Sequence, residues 1–159
     1  MKRNYINENE QIIIIKILID YQIKSFERLF KNCKCVESIY FKKFKRNNIN
    51  NMNYMFWGCT SLKELNLNNF NTNNVTNMSN MFHGCSSLKE LNLYNFNTNN
   101  VTDMSYMFSE CSSLKELYLN NFNTNNVMLM FKMFNGCSKE LIKKIKTQYK
   151  NIKEEAFIK

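Results

Sequence analysis

The sequence predicts an α/β solenoid: a stack of 26-residue coils, each with one short parallel strand and a helical or 3-10 turn on the opposite wall, closed by a C-terminal capping helix. Three observations carry this. Met52, Met78, Met104 and Met130 recur every 26 residues, and so do Cys59, Cys85, Cys111 and Cys137. A fixed period between about 20 and 50 residues marks a stacked repeat. Within each period the apolar spacing changes from two to three and four, so every unit holds two kinds of element.

The clearest unit places Met78, Met81, Phe82, Leu88, Leu91, Leu93, Phe96 and Val101 inside. Eight core side chains cannot offset the conformational entropy of ordering a whole coil, so burial and hydrogen bonding between stacked neighbours must supply the rest. Stepping back one period lands on Leu29, Phe30, Cys33, Ile39, Phe41, Phe44 and Ile49, a degenerate first coil. A second step lands on Ile13, Ile15, Leu18 and Ile23, still apolar. The expected organisation is an N-terminal capping half-coil over residues 1–25, a repeat stack over 26–137 with one degenerate and three clear units plus the start of the next, and a cap over 138–159.

Leu65 and Leu67 alternate with outward Glu64, Asn66 and Asn68, the period-two pattern of a strand. The segment Met78-x-x-Met81-Phe82-x-x-Cys85 has the three-and-four spacing of a helical or 3-10 turn. With no proline and three glycines in the chain, asparagine must make most corners. It tolerates left-handed backbone and bonds its own local main chain. The fixed recurrence of Phe70, Phe96 and Phe122 inside the asparagine-rich runs argues for ordered turns over a disordered tract. After Cys137, the residues Leu141, Ile142, Ile145, Tyr149, Ile152 and Ala156 fall on one face of a helix, with Ser138 as its N-cap. Such a helix would cover Met130, Met133 and Phe134. A basic amphipathic helix also suits an anionic membrane, a weaker reading than capping.

The net charge of +9 is unevenly spread. Residues 1–46 carry 11 Lys and Arg against 5 acids, residues 47–138 carry 4 against 5, and residues 139–159 carry 7 against 3. A continuous basic face of the kind that binds phosphate backbones is missing from the repeats, which argues against nucleic acid; the run Lys42 to Arg46 reads as a solvated turn. Five of the six cysteines keep the repeat register, so they read as a ladder of buried free thiols, not a metal site or paired framework. No signal peptide and no apolar run long enough for a transmembrane helix is apparent, so the sequence alone suggests a soluble intracellular chain and leaves the compartment open; a monomer is expected.

Catalytic, cofactor and metal sites are not expected. His83 occupies a variable slot filled elsewhere by Trp57, Ser109 and Asn135, and reads as a surface residue. Glu64, Glu90 and Glu116 stack in register but read as an exposed ladder neutralised by Lys63, Lys89 and Lys115. Asn-x-Ser/Thr matches such as Asn74-Val-Thr76 are expected by chance in a chain so rich in asparagine. That leaves the outward strand face as the recognition surface: Tyr40, Asn66, Asn92 and Tyr118 in one column, Lys42, Asn68, Tyr94 and Asn120 in the next, flanked by Glu64, Glu90 and Glu116. Tyrosine and asparagine combine rigid contact area with adaptable hydrogen bonding.

The string Met-Phe-x-x-Cys-x-x-Leu-x-x-Leu-x-Leu, followed by Asn-Phe-Asn-Thr-Asn-Asn-Val-Thr-x-Met, resembles the BspA-like leucine-rich repeats of bacterial surface proteins, found also in mycoplasma lipoproteins. The likeness covers Phe26 to Cys137, with strong copies beginning at Met52, Met78 and Met104. It implies a right-handed leucine-rich-repeat solenoid, display at the cell surface, and a non-catalytic, adhesin-like role in binding a protein ligand. An intracellular scaffold or regulatory protein, or a purely structural stretch of a larger repeat protein, are the alternatives.

Overall fold

A computed structural model describes residues 22–41 and 46–158 in full and the backbone of residues 3–5 and 13–15. Strands β1 (Arg3–Tyr5) and β2 (Ile13–Ile15) pair antiparallel. The repeats supply β3 (Ser38–Tyr40), β4 (Glu64–Asn66), β5 (Glu90–Asn92) and β6 (Glu116–Tyr118), spaced one period apart. β3 pairs parallel with β4 and β5 with β6, each in exact 26-residue register. The chain closes with α1 (Lys139–Gln148) and a 3-10 turn (Glu154–Phe157).

The wall opposite the strands holds the stack together most tightly. A second set of parallel bridges runs Ser25, Asn51, Asn77, Asp103, Leu129 through successive coils. Beyond each bridge, every second N–H leaves its own coil: Met52 donates to the Asn77 carbonyl, Tyr54 to Ser79, Phe56 to Met81 and Gly58 to His83, at 2.8–3.1 Å. The intervening N–H groups close local turns, Met55 to Met52, Trp57 to Tyr54 and Cys59 to Phe56. Of the helical or 3-10 turn expected on this wall, the chain forms the second kind, a run of overlapping turns closed by bonds between residues three apart. Its physical cause is left-handed backbone at two positions per coil. Arg28, Tyr54, Asn80, Tyr106 and Lys132 form one such column, and Asn32, Gly58, Gly84, Glu110 and Gly136 the other. A residue at positive φ ends a right-handed helical turn and redirects the next N–H outward.

Behind this wall the core is columnar. Phe30, Phe56, Phe82, Phe108, Phe134 and Phe157 stack ring on ring, with centroids 5.3–5.6 Å apart and planes within 16° of parallel. The cysteine ladder lies alongside. The thiols of Cys59, Cys85, Cys111 and Cys137 donate to the carbonyls of Phe30, Phe56, Phe82 and Phe108, one coil back, at 3.1–3.3 Å. No disulfide forms among them. Of the first-coil positions, Ile39 and Ile49 are buried and Leu29, Phe30, Cys33 and Phe41 pack against the core. Phe44 and Leu18 lie outside the described residues, and Ile23, expected inside, is 42% exposed.

The corners use asparagine differently from expectation. Among the described residues, Asn32 and Asn80 are the asparagines that adopt left-handed backbone; many others work through their side chains. Asn66, Asn71, Asn77, Asn92, Asn97 and Asn123 each accept a hydrogen bond from the N–H two residues on. Asn100 and Asn126 reach back to the carbonyls of Asn73 and Asn99. Thr72 and Thr98 are buried clips: each hydroxyl accepts from the N–H of Asn97 or Asn123 in the next coil and donates to its carbonyl, at 2.8–2.9 Å.

The C-terminal cap has two parts. Ser138 caps α1 by accepting from Leu141 N–H at 3.1 Å, and Leu141 and Ile145 are buried. The single helix expected across 138–159 stops at Gln148, and the tail then retraces a shortened sixth coil. Thr124 donates to Asn151, Lys132 N–H to the Glu155 carbonyl, and Phe134 N–H to that of Ala156. The Glu155 carboxylate accepts from Met130 N–H at 3.0 Å. Ala156-Phe157 thus stands where another coil would place its Met-Phe pair, and Met130, Met133 and Phe134 are buried.

Because the Phe82 ring stacks on both Phe56 and Phe108, Phe82→Ala is expected to cost about 3–5 kcal/mol of unfolding free energy by denaturant titration. Burial raises the thiols, that of Cys59 to about 11 and that of Cys137 to about 12. The folded values exceed the ordinary 9.0, so this stabilisation is complete below about pH 9 and is lost as pH rises through 11 to 12. At pH 8 an aromatic disulfide reagent should label exposed Cys35 rapidly. Cys59, Cys85, Cys111 and Cys137 should react only after denaturant is added.

Candidate functional site

The strand face is built by period-two alternation: Ile39, Leu91 and Leu117 point inward and are buried, which turns their neighbours to solvent. Tyr40, Glu64, Asn66, Asn68, Glu90, Asn92, Tyr94, Glu116, Tyr118 and Asn120 are all exposed on it, while Lys42 lies outside the described residues. The register sets Tyr40 beside Asn66 and Asn92 beside Tyr118. No strand ladder joins β4 to β5, so the face is two paired strips rather than one sheet.

Its polar groups are partly committed. The Tyr40 hydroxyl donates to the Glu64 carboxylate, and that bond raises the phenol. Asn66 and Asn92 spend their oxygens on the N–H groups of Asn68 and Tyr94. The expected stacking of Glu64, Glu90 and Glu116 against Lys63, Lys89 and Lys115 is replaced by other pairs. Lys63 meets Glu37 at 2.9 Å, and Glu116 meets Lys144 of α1 at 2.7 Å. Both pairs are solvent-exposed and fix geometry more than stability.

At the end of the face, α1 stands beside β6 and encloses a cleft of about 320 Å³ lined by Tyr118, Asn120, Leu141, Lys144, Gln148 and Tyr149. The Leu119 N–H donates to the Tyr149 hydroxyl at 3.1 Å, in the place where Leu93 N–H donates to the next strand's Tyr118 carbonyl. Lys144, Gln148 and Tyr149 were not legible as face residues, because their position depends on how α1 docks. A second hollow, about 290 Å³, is lined by Asn95, Asn97, Asn99 and Asn121 at a corner.

His83, expected at the surface, is half-buried. Its ring stacks on Trp57 at 5.7 Å and meets Tyr106 edge-on, and its Nδ1 is buried with no partner. Burial lowers its pKa, against the opposing pull of Glu110, so the imidazole is neutral near pH 7. Cys85 donates to Phe56 and does not pair with it. Among the described residues, no group of three or more His, Cys, Asp or Glu could hold a metal ion, and no helix is long and apolar enough to cross a membrane.

No curated protein matches the chain. A family model described as Mycoplasma protein of unknown function, DUF285, matches residues 24–148. That span runs from the entry to the first coil to the last residue of α1 and takes in most of the chain, so the chain belongs to the mycoplasma family DUF285.

Proposed function

We propose that this chain is a BspA-like, right-handed leucine-rich-repeat solenoid that binds a protein ligand through its strand face, in the manner of an adhesin or surface protein and without catalysis of its own. One observation carries the reading. The recurring phenylalanines Phe56, Phe82, Phe96 and Phe108 are at most 1% exposed, whereas Tyr40, Tyr94 and Tyr118 on the strand face are 61%, 55% and 40% exposed. Large aromatic area held on a rigid backbone, with hydrogen-bonding neighbours, is the composition of binding hot spots. The cleft beside Tyr118 offers one place where a ligand side chain would be enclosed.

The test is a pull-down from host-matrix and cytosolic extracts, with retained proteins identified by mass spectrometry and their affinities then measured. Replacing Tyr40, Tyr94 and Tyr118 together with Ala should weaken a true ligand at least about tenfold, because hot-spot truncations each cost about 2 kcal/mol or more. Circular dichroism should show the variant folded, since all three side chains lie outside the core. A ligand bound equally by both proteins would remove the strand face from consideration.

A further inference from the structure

Five cysteines keep the repeat register; the sixth, Cys35, does not. Cys33-Lys34-Cys35 opens the stack, and the position two beyond the ladder cysteine, held here by Cys35, is Ser61, Ser87 and Ser113 in the next three coils. All four coils turn in the same way at this point. Val36 N–H donates to the Cys33 carbonyl at 3.3 Å, as Leu62 does to Cys59, Leu88 to Cys85 and Leu114 to Cys111 at 3.1–3.2 Å. A turn closed by such a bond keeps its ends within about 7 Å, and Cα atoms two apart inside it fall within the span of about 4.4–6.8 Å that a disulfide bridges. The first coil therefore places two thiols in one turn where the next three place a thiol and a hydroxyl.

The two thiols also differ from the rest of the ladder in access and in bonding. Cys35 is exposed and Cys33 half-buried, whereas Cys59, Cys85 and Cys111 are buried. Each later ladder thiol donates to a phenylalanine carbonyl one coil back, but among the described residues Cys33, which begins the column, makes no such bond. Its side chain can turn towards Cys35 without giving up a hydrogen bond. Cys59, its other neighbour in the column, is buried and held to the Phe30 carbonyl at 3.1 Å. Exchange needs one accessible thiol to attack and a second nearby to resolve the mixed disulfide. We infer that Cys33 and Cys35 form a thiol–disulfide exchange site that reduces a low-molecular-weight disulfide and closes a reversible bridge across the first turn. The Cys35 thiolate, its proton released to water, attacks one sulfur of the external disulfide and expels the other as a thiolate. Cys33, likewise deprotonated, attacks the Cys35 Sγ and expels the second. Two protein thiols are thereby oxidised to one disulfide, the external disulfide is reduced to two thiols, and the two protons given up by the protein go to the departing thiolates.

The test incubates the folded full chain with glutathione disulfide at pH 8, quenches with acid, and maps the digested protein by mass spectrometry without reduction. The expected product is a bridge between Cys33 and Cys35, with glutathione released as thiol, no adduct retained, and Cys59, Cys85, Cys111 and Cys137 still free. A monothiol in excess should restore the starting protein. In Cys33→Ser the reaction should stop at a glutathione adduct on Cys35. Cys35→Ser, which installs the residue of the later coils, should release glutathione at least about tenfold more slowly, because the accessible attacking thiol is gone. Circular dichroism checks that both variants fold, and the wild-type map decides the matter without them. An adduct that persists on wild-type Cys35, a bridge from Cys33 to Cys59, a cross-link between two chains, no reaction, or a rate unchanged by Cys35→Ser would overturn the inference.

Discussion

The hydrogen-bond ladder of the turn wall is the constraint on which the other features depend. Four N–H groups per inner coil, those of residues such as Met52, Tyr54, Phe56 and Gly58, bond only to the next coil. This fixes how one coil sits on another. The regular rise sets the phenylalanine rings near van der Waals separation and brings each cysteine thiol onto the carbonyl of the phenylalanine one coil back. It also requires two left-handed residues per coil. Glycine fills three of these positions, while Arg28, Tyr54, Tyr106, Glu110 and Lys132 adopt them at a cost of about 1–2 kcal/mol each. The ladder and core on either side over-determine the backbone there, which is how such conformations persist.

A ladder of this kind leaves the last coil with donors that have no coil to meet. The tail after α1 supplies carbonyls and a carboxylate from Glu155 and Ala156, and Phe157 supplies a final ring. α1 meanwhile covers the strand side through Leu141, Ile145 and the Lys144–Glu116 pair. The two walls are closed by separate pieces because they present different needs, backbone acceptors on one and apolar cover on the other.

The walls also differ in how tightly they are joined. The turn wall is bridged at every coil from Ser25 to Leu129, whereas the strand wall lacks a ladder between β4 and β5. Exposed tyrosines on the strand face and the contacting rings on the turn wall are two surfaces of one stack, with different chemistry. The first offers separate aromatic and amide groups; the second is pre-stacked.

The sequence by itself determined the period, the core columns, the strand positions, the face on which Tyr40, Tyr94 and Tyr118 appear, and the N-cap at Ser138. All of these follow from side-chain alternation and recurrence, which are properties of single residues. The tertiary structure alone decided that the Met-Phe segments form overlapping three-residue-spaced turns, the 3-10 alternative, and not an α-helical turn. Three-and-four spacing is shared by both, and the choice rests on bonds to residues 25 positions away, as between Met52 and Asn77. It also decided the break after Gln148, where a helical stripe continued in the sequence but unmet donors on Met130, Lys132 and Phe134 drew the tail back along the stack. The ring contacts were illegible for the same reason: Trp57 and His83 share one repeat column, but Tyr106 and Phe131 come from two others, and the four become neighbours only when coils stack.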